Sequence, residues 1–245
     1  MSEIIKTQAI VLRKINFGDT SRIAQFYSED YGKISAIIKG ARSPKSKTGM
    51  LIDTTNLLQL ILYKKESREV QLVKEIDLIK HYTRIRDDYD KLKYASAIIE
   101  LITNLTLEND HSKRLFEGTV KIFSLLESTD ENPKYLFAKY FLFFIKEIGY
   151  EFQIRNCNVC GRELQKNSMI SYNHKTGLMC SECSRDRSIN FNISTELFSL
   201  LLCLNSRKNK IKYKEEDLNA IIKMLEKFLT YNVNEFKEIK SLKII

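Results

Sequence analysis

Four cysteines stand as two pairs, Cys157-Asn158-Val159-Cys160 and Cys180-Ser181-Glu182-Cys183, with 19 residues between the pairs. Each pair can wrap a two-residue knuckle around one ion, and the separation lies within the window of a four-thiolate zinc site. Zn²⁺ is borderline soft and has no d-electron preference, so it accepts four sulfurs in a tetrahedron. Gly161 follows the first pair, where a residue without Cβ lets the backbone curl until its amide hydrogens point at the sulfurs. Two disulfides or an iron site would use similar spacing, but nothing else in the chain points to secretion or electron transfer. Four thiolates leave no position for water, so the expected zinc ion is structural rather than catalytic. His174 is read as a solvated turn residue. Cys203, within Leu200-Leu201-Leu202-Cys203-Leu204, is read as a small buried side chain.

Catalytic patterns are sparse. Gly40-Ala41-Arg42-Ser43-Pro44-Lys45-Ser46-Lys47-Thr48 lacks the second glycine of a phosphate-binding loop, and Pro44 removes an amide donor. The three histidines, His81, His111 and His174, form neither a zinc-protease helix motif nor a triad setting. Asp87, Asp88 and Asp90 could hold magnesium in a nuclease, but an acidic first helical turn, favoured by the helix dipole, accounts for them more simply. What remains is a binding surface. Lys39, Arg42, Lys45 and Lys47, with Arg13, Arg22 and Lys33 nearby, can neutralise phosphates, and Phe26, Tyr27 and Tyr31 offer faces for base stacking. Phe26 and Tyr27 are adjacent on a strand and point to opposite faces, so at most one of them is expected in the core.

Charge points the same way. The chain of 245 residues carries a net +9, with Lys and Arg outnumbering Asp and Glu by 14 to 9 in residues 1–80 and 16 to 11 in 151–245, while the middle is nearly balanced. A basic excess suggests a polyanionic partner, most often nucleic acid. The start of the chain has no apolar run behind a basic stretch, and the most apolar segment, residues 135–145, is interrupted by Lys139. A cytoplasmic protein with no membrane association is expected.

These residues need elements to position them. Residues 1–80 read as five short strands, Gln8–Leu12, Ser21–Tyr27, Lys33–Ile38, Asn56–Tyr63 and Glu69–Val73, parted by turn residues such as Gly18-Asp19 and Tyr31-Gly32. That count suits a small closed barrel, with the OB fold as first candidate and an SH3-like barrel as the other. Lys39 to Lys47 should be an exposed loop. From about residue 85 the period turns helical: Leu92, Ala95, Ile99 and Ile102 make one apolar face, and Leu115, Val120, Phe123 and Leu126 another. Asn132-Pro133 starts a third helix that Gly149 ends, Ser194 caps a fourth, and Glu215 to Tyr231 forms the last. Between the cysteine pairs, residues 169–172 and 178–179 flank a turn, which would bring the knuckles together. The expected fold is α+β: an N-terminal OB-fold β-barrel over 1–80, then an α-helical domain over 81–245 with a four-cysteine zinc knuckle at 157–183.

Taken in order, Ala9-Ile10-Val11-Leu12, Gly18-Asp19-Thr20-Ser21-Arg22-Ile23, Tyr31-Gly32-Lys33-Ile34-Ser35, Lys39-Gly40-Ala41-Arg42, Gly149-Tyr150, Cys157–Gly161 and Gly177-Leu178-Met179-Cys180 with Cys183 resemble the bacterial RecO family of DNA-repair recombination mediators. The resemblance implies an OB fold, a helical domain with a zinc site, and no catalytic activity. Such proteins bind single- and double-stranded DNA, anneal complementary strands, and help load RecA on DNA coated by single-stranded DNA-binding protein. They act with RecR, often with RecF, and bind the C-terminal tail of single-stranded DNA-binding protein. Where the family commonly has a proline after Gly-Tyr, this chain has Glu151-Phe152-Gln153. Some members lack the cysteines, which implies that the metal stabilises the domain. A zinc-ribbon adaptor that contacts proteins, and a nuclease using Asp87, Asp88 and Asp90, are the readings set beside the mediator.

Overall fold

The computed structural model describes residues 3–108, 110–150, 152–206 and 211–243. The chain divides into two compact units: residues up to Asp130 together with the segment beginning at Lys240, and Glu131–Ile239. The change from strands to helices near residue 85 therefore falls inside the first unit.

The first unit opens with β1 (Glu3–Phe17), β2 (Ser21–Ser28), β3 (Gly32–Ile38), a short helix α1 (Lys47–Leu51), β4 (Leu57–Lys64) and β5 (Val70–Lys80). β1 is long because two neighbours share it: Glu3–Ile10 pairs with β4, and Ala9–Phe17 pairs with β2. A bulge between Val11 and Arg13 bends it from one partner to the other. The strands close in the cyclic order β1-β2-β3-β5-β4, and the closing seam is a parallel pairing of only three residues, Ser35–Ile37 with Val70–Leu72. This is the five-stranded, partly open arrangement of an OB fold. Ala9, Val11, Ala24, Phe26, Ile34, Ala36, Leu58 and Leu62 fill its interior.

Helices α2 (Thr83–Asp87), α3 (Tyr89–Leu105) and α4 (Lys113–Ser128) follow in the same unit. The Asp88 side chain caps α3 by accepting from Lys91 N at 3.0 Å, and Asp90 lies in its first turn, so these acids serve the helix start. Ala95, Ile99 and Ile102 of the expected α3 face are buried, and only its first position departs. Leu92 is 40 % exposed while Lys91 is buried, because the Lys91 ammonium donates to the Thr129 carbonyl at the C-terminus of α4 (3.1 Å). The outer face of the barrel is also occupied. Gln25 donates to Glu108 (3.2 Å) and Lys33 to the Thr103 carbonyl (2.9 Å). Phe26 and Tyr27 do point to opposite faces, yet both are buried, since each face has a covering.

The second unit holds α5 (Pro133–Glu147), β6 (Ile170–Asn173), β7 (Gly177–Cys180), β8 (Phe191–Ile193), α6 (Thr195–Leu204) and α7 (Glu215–Asn232). Asn132 and Ser194 cap α5 and α6 as their sequence positions suggest. α5 is buried almost all round, with Lys139 reaching the Ser206 carbonyl at 2.9 Å. Among the described residues no helix is long and apolar enough to cross a membrane. β6 pairs with β7 on one edge and β8 on the other, and the Tyr172 hydroxyl anchors this small sheet to α7 through the Met224 carbonyl (2.8 Å).

Candidate functional site

The turn β6–β7 does bring the two cysteine pairs together. The ligand atoms of Cys157, Cys160, Cys180 and Cys183 all lie within 4.8 Å of one another. Cys160 Sγ and Cys180 Sγ are 3.8 Å apart, which matches the edge of about 3.8 Å that a tetrahedron with metal–sulfur bonds of about 2.3 Å requires. In the first knuckle Cys157 N donates to the Arg162 carbonyl (2.8 Å) and Gly161 N to the Cys157 carbonyl (2.9 Å), with Gly161 at φ +73° as the curl requires. Asn158 N then ties that knuckle to β7 at the Leu178 carbonyl (2.8 Å). Cys180 N lies 3.4 Å from Cys157 Sγ and donates to it.

These donors decide the electrostatics. Burial raises the Cys157 thiol, but amide hydrogens from Cys160, Cys180 and Val159 outweigh it and bring the group down to about 6. Cys183, which shares a hydrogen with Cys160 and also sits beside Cys180 and Cys157, is pushed up to about 12. Four sulfurs this close ionise together only around a cation, so the donor set fits a thiophilic metal ion. Arg162, on the first knuckle, pairs with Glu182 on the second at 2.7 Å. Its charge also faces the Cys160 and Cys180 sulfurs. His174 stands outside the cysteine cluster. Contrary to the expectation of a solvated ring, it is half-buried and stacked on Tyr231, because α7 ends beside the turn. Glu151 lies outside the described residues. Cys203 is buried, with its sulfur 3.6 Å from the Tyr135 hydroxyl.

In the first unit, the basic loop after β3 is held rather than loose. Ala41 inserts into the barrel core. Gly49 packs so tightly beneath it that any Cβ would run into the Ala41 carbonyl oxygen. Arg42 clamps the loop to the β1–β2 turn, its backbone N donating to the Thr20 carbonyl (2.8 Å) and its guanidinium to the Gly18 carbonyl (2.7 Å). Arg22, at the start of β2, donates to the Gly49 carbonyl (2.9 Å). These bonds gather Lys39, Arg42, Lys45 and Lys47, all exposed, beside the β1–β2 turn at one end of the barrel. Ser46 caps α1, so Lys47 begins a helix rather than ending a loop.

Arg13 is exposed just past the β1 bulge, on the same face as Ile15 and Phe17. Lys33 departs from the group. It is 8 % exposed and committed to Thr103, because its strand position faces α3 rather than solvent. Phe26 and Tyr27 are likewise unavailable for stacking, and Tyr31 is half-buried with the Lys64 ammonium 5.0 Å over its ring. The aromatic beside the basic loop is instead Phe17, 51 % exposed and adjacent to the carbonyl that Arg42 holds. Its place directly before Gly18-Asp19 was the available signal, since a strand residue at a turn tip has no neighbour to cover it.

Comparison with known proteins adds a second line. The family model "Recombination protein O C terminal" matches residues 86–243, and "Recombination protein O N terminal" matches residues 1–82. Over 161 residues the chain is 33 % identical to a "DNA repair protein RecO" from Pelodictyon phaeoclathratiforme, a match covering 66 % of this chain and 62 % of that one, a little under two thirds. A protein of the same description from Chloroherpeton thalassium is 28 % identical over 260 residues, covering 98 % of this chain and 97 % of its own. One from Clostridium novyi is 28 % identical over 246 residues, covering 98 % and 93 %.

Proposed function

The chain belongs to the Recombination protein O family, and from that premise we propose that it is a DNA-binding mediator of recombinational repair. On this reading it binds single- and double-stranded DNA, anneals complementary strands, and helps load RecA on strands coated by single-stranded DNA-binding protein. The observation that carries the reading is the clamp of Arg42 on the β1–β2 turn, which fixes a cluster of exposed cations on one end of an OB-type barrel. Each cation that replaces a condensed counterion lowers the repulsion between two phosphate backbones, while the bases stay free to pair. Phe17 supplies a stacking face that is indifferent to sequence. Such a surface needs no bond-making residue, and we assign the protein no catalytic role.

The DNA-binding set on this reading is Lys39, Arg42, Lys45 and Lys47 with Arg13 and the partly exposed Arg22. Lys33 is left out because it is buried, facing α3 rather than solvent. RecR, RecF where the cell holds one, and the tail of single-stranded DNA-binding protein are the partners that the family implies. We assign one zinc ion to Cys157, Cys160, Cys180 and Cys183. When bound, it offsets half of the charge of the four thiolates and ties the two knuckles into one body, and it has no open position for substrate.

The test is a salt series. The variant Arg42→Ala/Lys45→Ala/Lys47→Ala should bind oligonucleotides more weakly and with a flatter dependence of log affinity on log salt, the slope falling on single strands by about 0.7 for each phosphate that is no longer neutralised. An unchanged slope would remove the loop from the interface. Labelled DNA left with Mg²⁺ or Mn²⁺ should stay intact, whereas cleavage would speak for a nuclease.

A further inference from the structure

The hairpin that joins the cysteine pairs ends in a cleft of about 450 Å³ that the metal centre does not use. It lies wholly within the second unit, between the β6–β7 turn, residues 187–190 and the end of α7, and its size is that of a small-ligand site. Its walls are braced from three directions. Asn173 Oδ1 accepts from Lys175 N (2.8 Å) and Thr176 N (3.1 Å), and Asn173 Nδ2 donates to the Ser188 carbonyl (2.9 Å). His174 N donates to Asn190 Oδ1 (2.8 Å), and Asn232, at the end of α7, donates to the Lys175 carbonyl (3.3 Å). A turn tied this often keeps its shape before any ligand arrives.

Three chemical features meet there. The first is an aromatic platform. The His174 ring stacks on Tyr231 with centroids 5.3 Å apart and planes 25° from parallel, and Tyr172 buttresses it edge-on at 5.3 Å. Tyr231 is 60 % exposed, a large ring held outward on a firm support. The second is charge: Lys175 and Arg187 line the cleft, and among the described residues no carboxylate does. Arg187 is positioned by its own bond to the Cys183 carbonyl, 3.0 Å, so it is fixed to the second knuckle. The third is a polar atom left over, His174 Nδ1, which is buried with no hydrogen-bond partner among the described residues. Buried polar atoms are rarely left so without a reason.

A stacking ring with two cations at its margin suits a planar heterocycle joined to a phosphodiester. We propose that this cleft takes one unpaired nucleotide of single-stranded DNA, with the base stacked on Tyr231 and the phosphate held between Lys175 and Arg187. The assignment rests on the DNA-binding reading above and extends it, because it gives the second unit a strand-selective contact. Bases within a duplex are stacked on one another and cannot offer a face to Tyr231, so the cleft contributes to binding of single strands alone.

The experiment uses the whole 245-residue chain, metal-loaded, and fluorescein-labelled oligothymidylate followed by anisotropy. Tyr231→Ala should weaken single-strand binding about tenfold, within the range measured for loss of one stacked base, and Tyr231→Phe should restore it. Arg187→Gln should weaken it too and reduce the salt slope by about 0.7, as one neutralised phosphate fewer requires. Against an oligonucleotide of abasic sites, Tyr231→Ala and the parent protein should bind alike, and duplex affinity should not change. With 5-iododeoxyuridine in the strand, irradiation should link the protein at Tyr231 or His174.

If the parent protein binds and the loop variant is weakened, but Tyr231→Ala and Arg187→Gln bind single strands as well as the parent does, the cleft proposal falls and the DNA-binding reading stands. If the parent protein binds no single strand at all, the DNA-binding reading itself has failed. An equal loss on duplex and single strand would also overturn the nucleotide site. Should Tyr231→Ala lose its metal or its fold, Lys175→Gln with Arg187→Gln, both at exposed positions, carries the same test.

Discussion

Lys33 and Lys45 show how little a residue type says about its role. Both are lysines of the basic N-terminal segment, yet Lys45 is exposed on the clamped loop, whereas Lys33 is buried against α3 with its ammonium on the Thr103 carbonyl. Burial is also what pulls the Lys33 ammonium below the ordinary lysine range. Lys33→Ala should therefore cost about 1–3 kcal/mol of stability, by leaving a carbonyl unpaired, and should leave the salt slope of DNA binding unchanged. Chemical denaturation and a salt titration on the same variant check both halves. At the start of α7, Glu215 accepts from Lys134 Nζ (2.6 Å) and Asn132 Nδ2 (2.6 Å), and the Lys134 contact is the larger reason its carboxyl sits below the ordinary glutamate range. With a folded-state value below the unfolded one of about 4.3, its contribution is complete above that pH and is lost as pH falls through the folded value. Glu215→Gln should accordingly flatten the acid side of the stability profile of the second unit. At neutral pH it should cost no more than about 1 kcal/mol, since the Glu215 side chain is more than half exposed and water screens the pair.

At the scale of elements, two small devices set the sites: the Gly49 contact under the basic loop, and the β6–β7 turn between the knuckles. Gly49→Ala cannot keep the backbone where it is, so it should destabilise the first unit by about 2 kcal/mol or more and weaken DNA binding without removing a charge. Thermal melts and the oligonucleotide assay measure the two effects. Chelation should loosen the knuckles and the β6-β7-β8 sheet, because metal binding and local folding are coupled, while amide exchange in the barrel stays slow. Amide exchange with and without chelator reads this directly, and uniform loosening of both regions would contradict it. The strands, the helix caps and the cysteine cluster were legible in the sequence because each depends on local pattern: alternation, an Asn or Ser before a periodic run, and knuckle spacing. What was not legible depended on contacts distant in the chain. Lys91 replaces Leu92 on the buried face of α3 because its partner, the Thr129 carbonyl, lies 38 residues on. β8 was missed because three residues carry too short a pattern, and the return of Lys240 and Ser241 to the Glu100 carboxylate (2.8 Å each) leaves no local mark at all.

The whole molecule combines a basic loop held at one end of a barrel, a helical unit with a four-cysteine cluster, and membership of a family whose curated members are described as DNA repair proteins. Each part has its own test above, but the claim that unites them is that the protein brings strands together rather than merely adhering to DNA. Annealing of two complementary labelled oligonucleotides, bare and then coated with single-stranded DNA-binding protein, over a salt series, addresses it most directly. Annealing should be faster than in buffer alone, retained on coated strands and fading as salt rises, with the loop variant slower throughout. Firm DNA binding with no acceleration of annealing on either substrate would contradict it and would leave a protein-contacting adaptor as the better description.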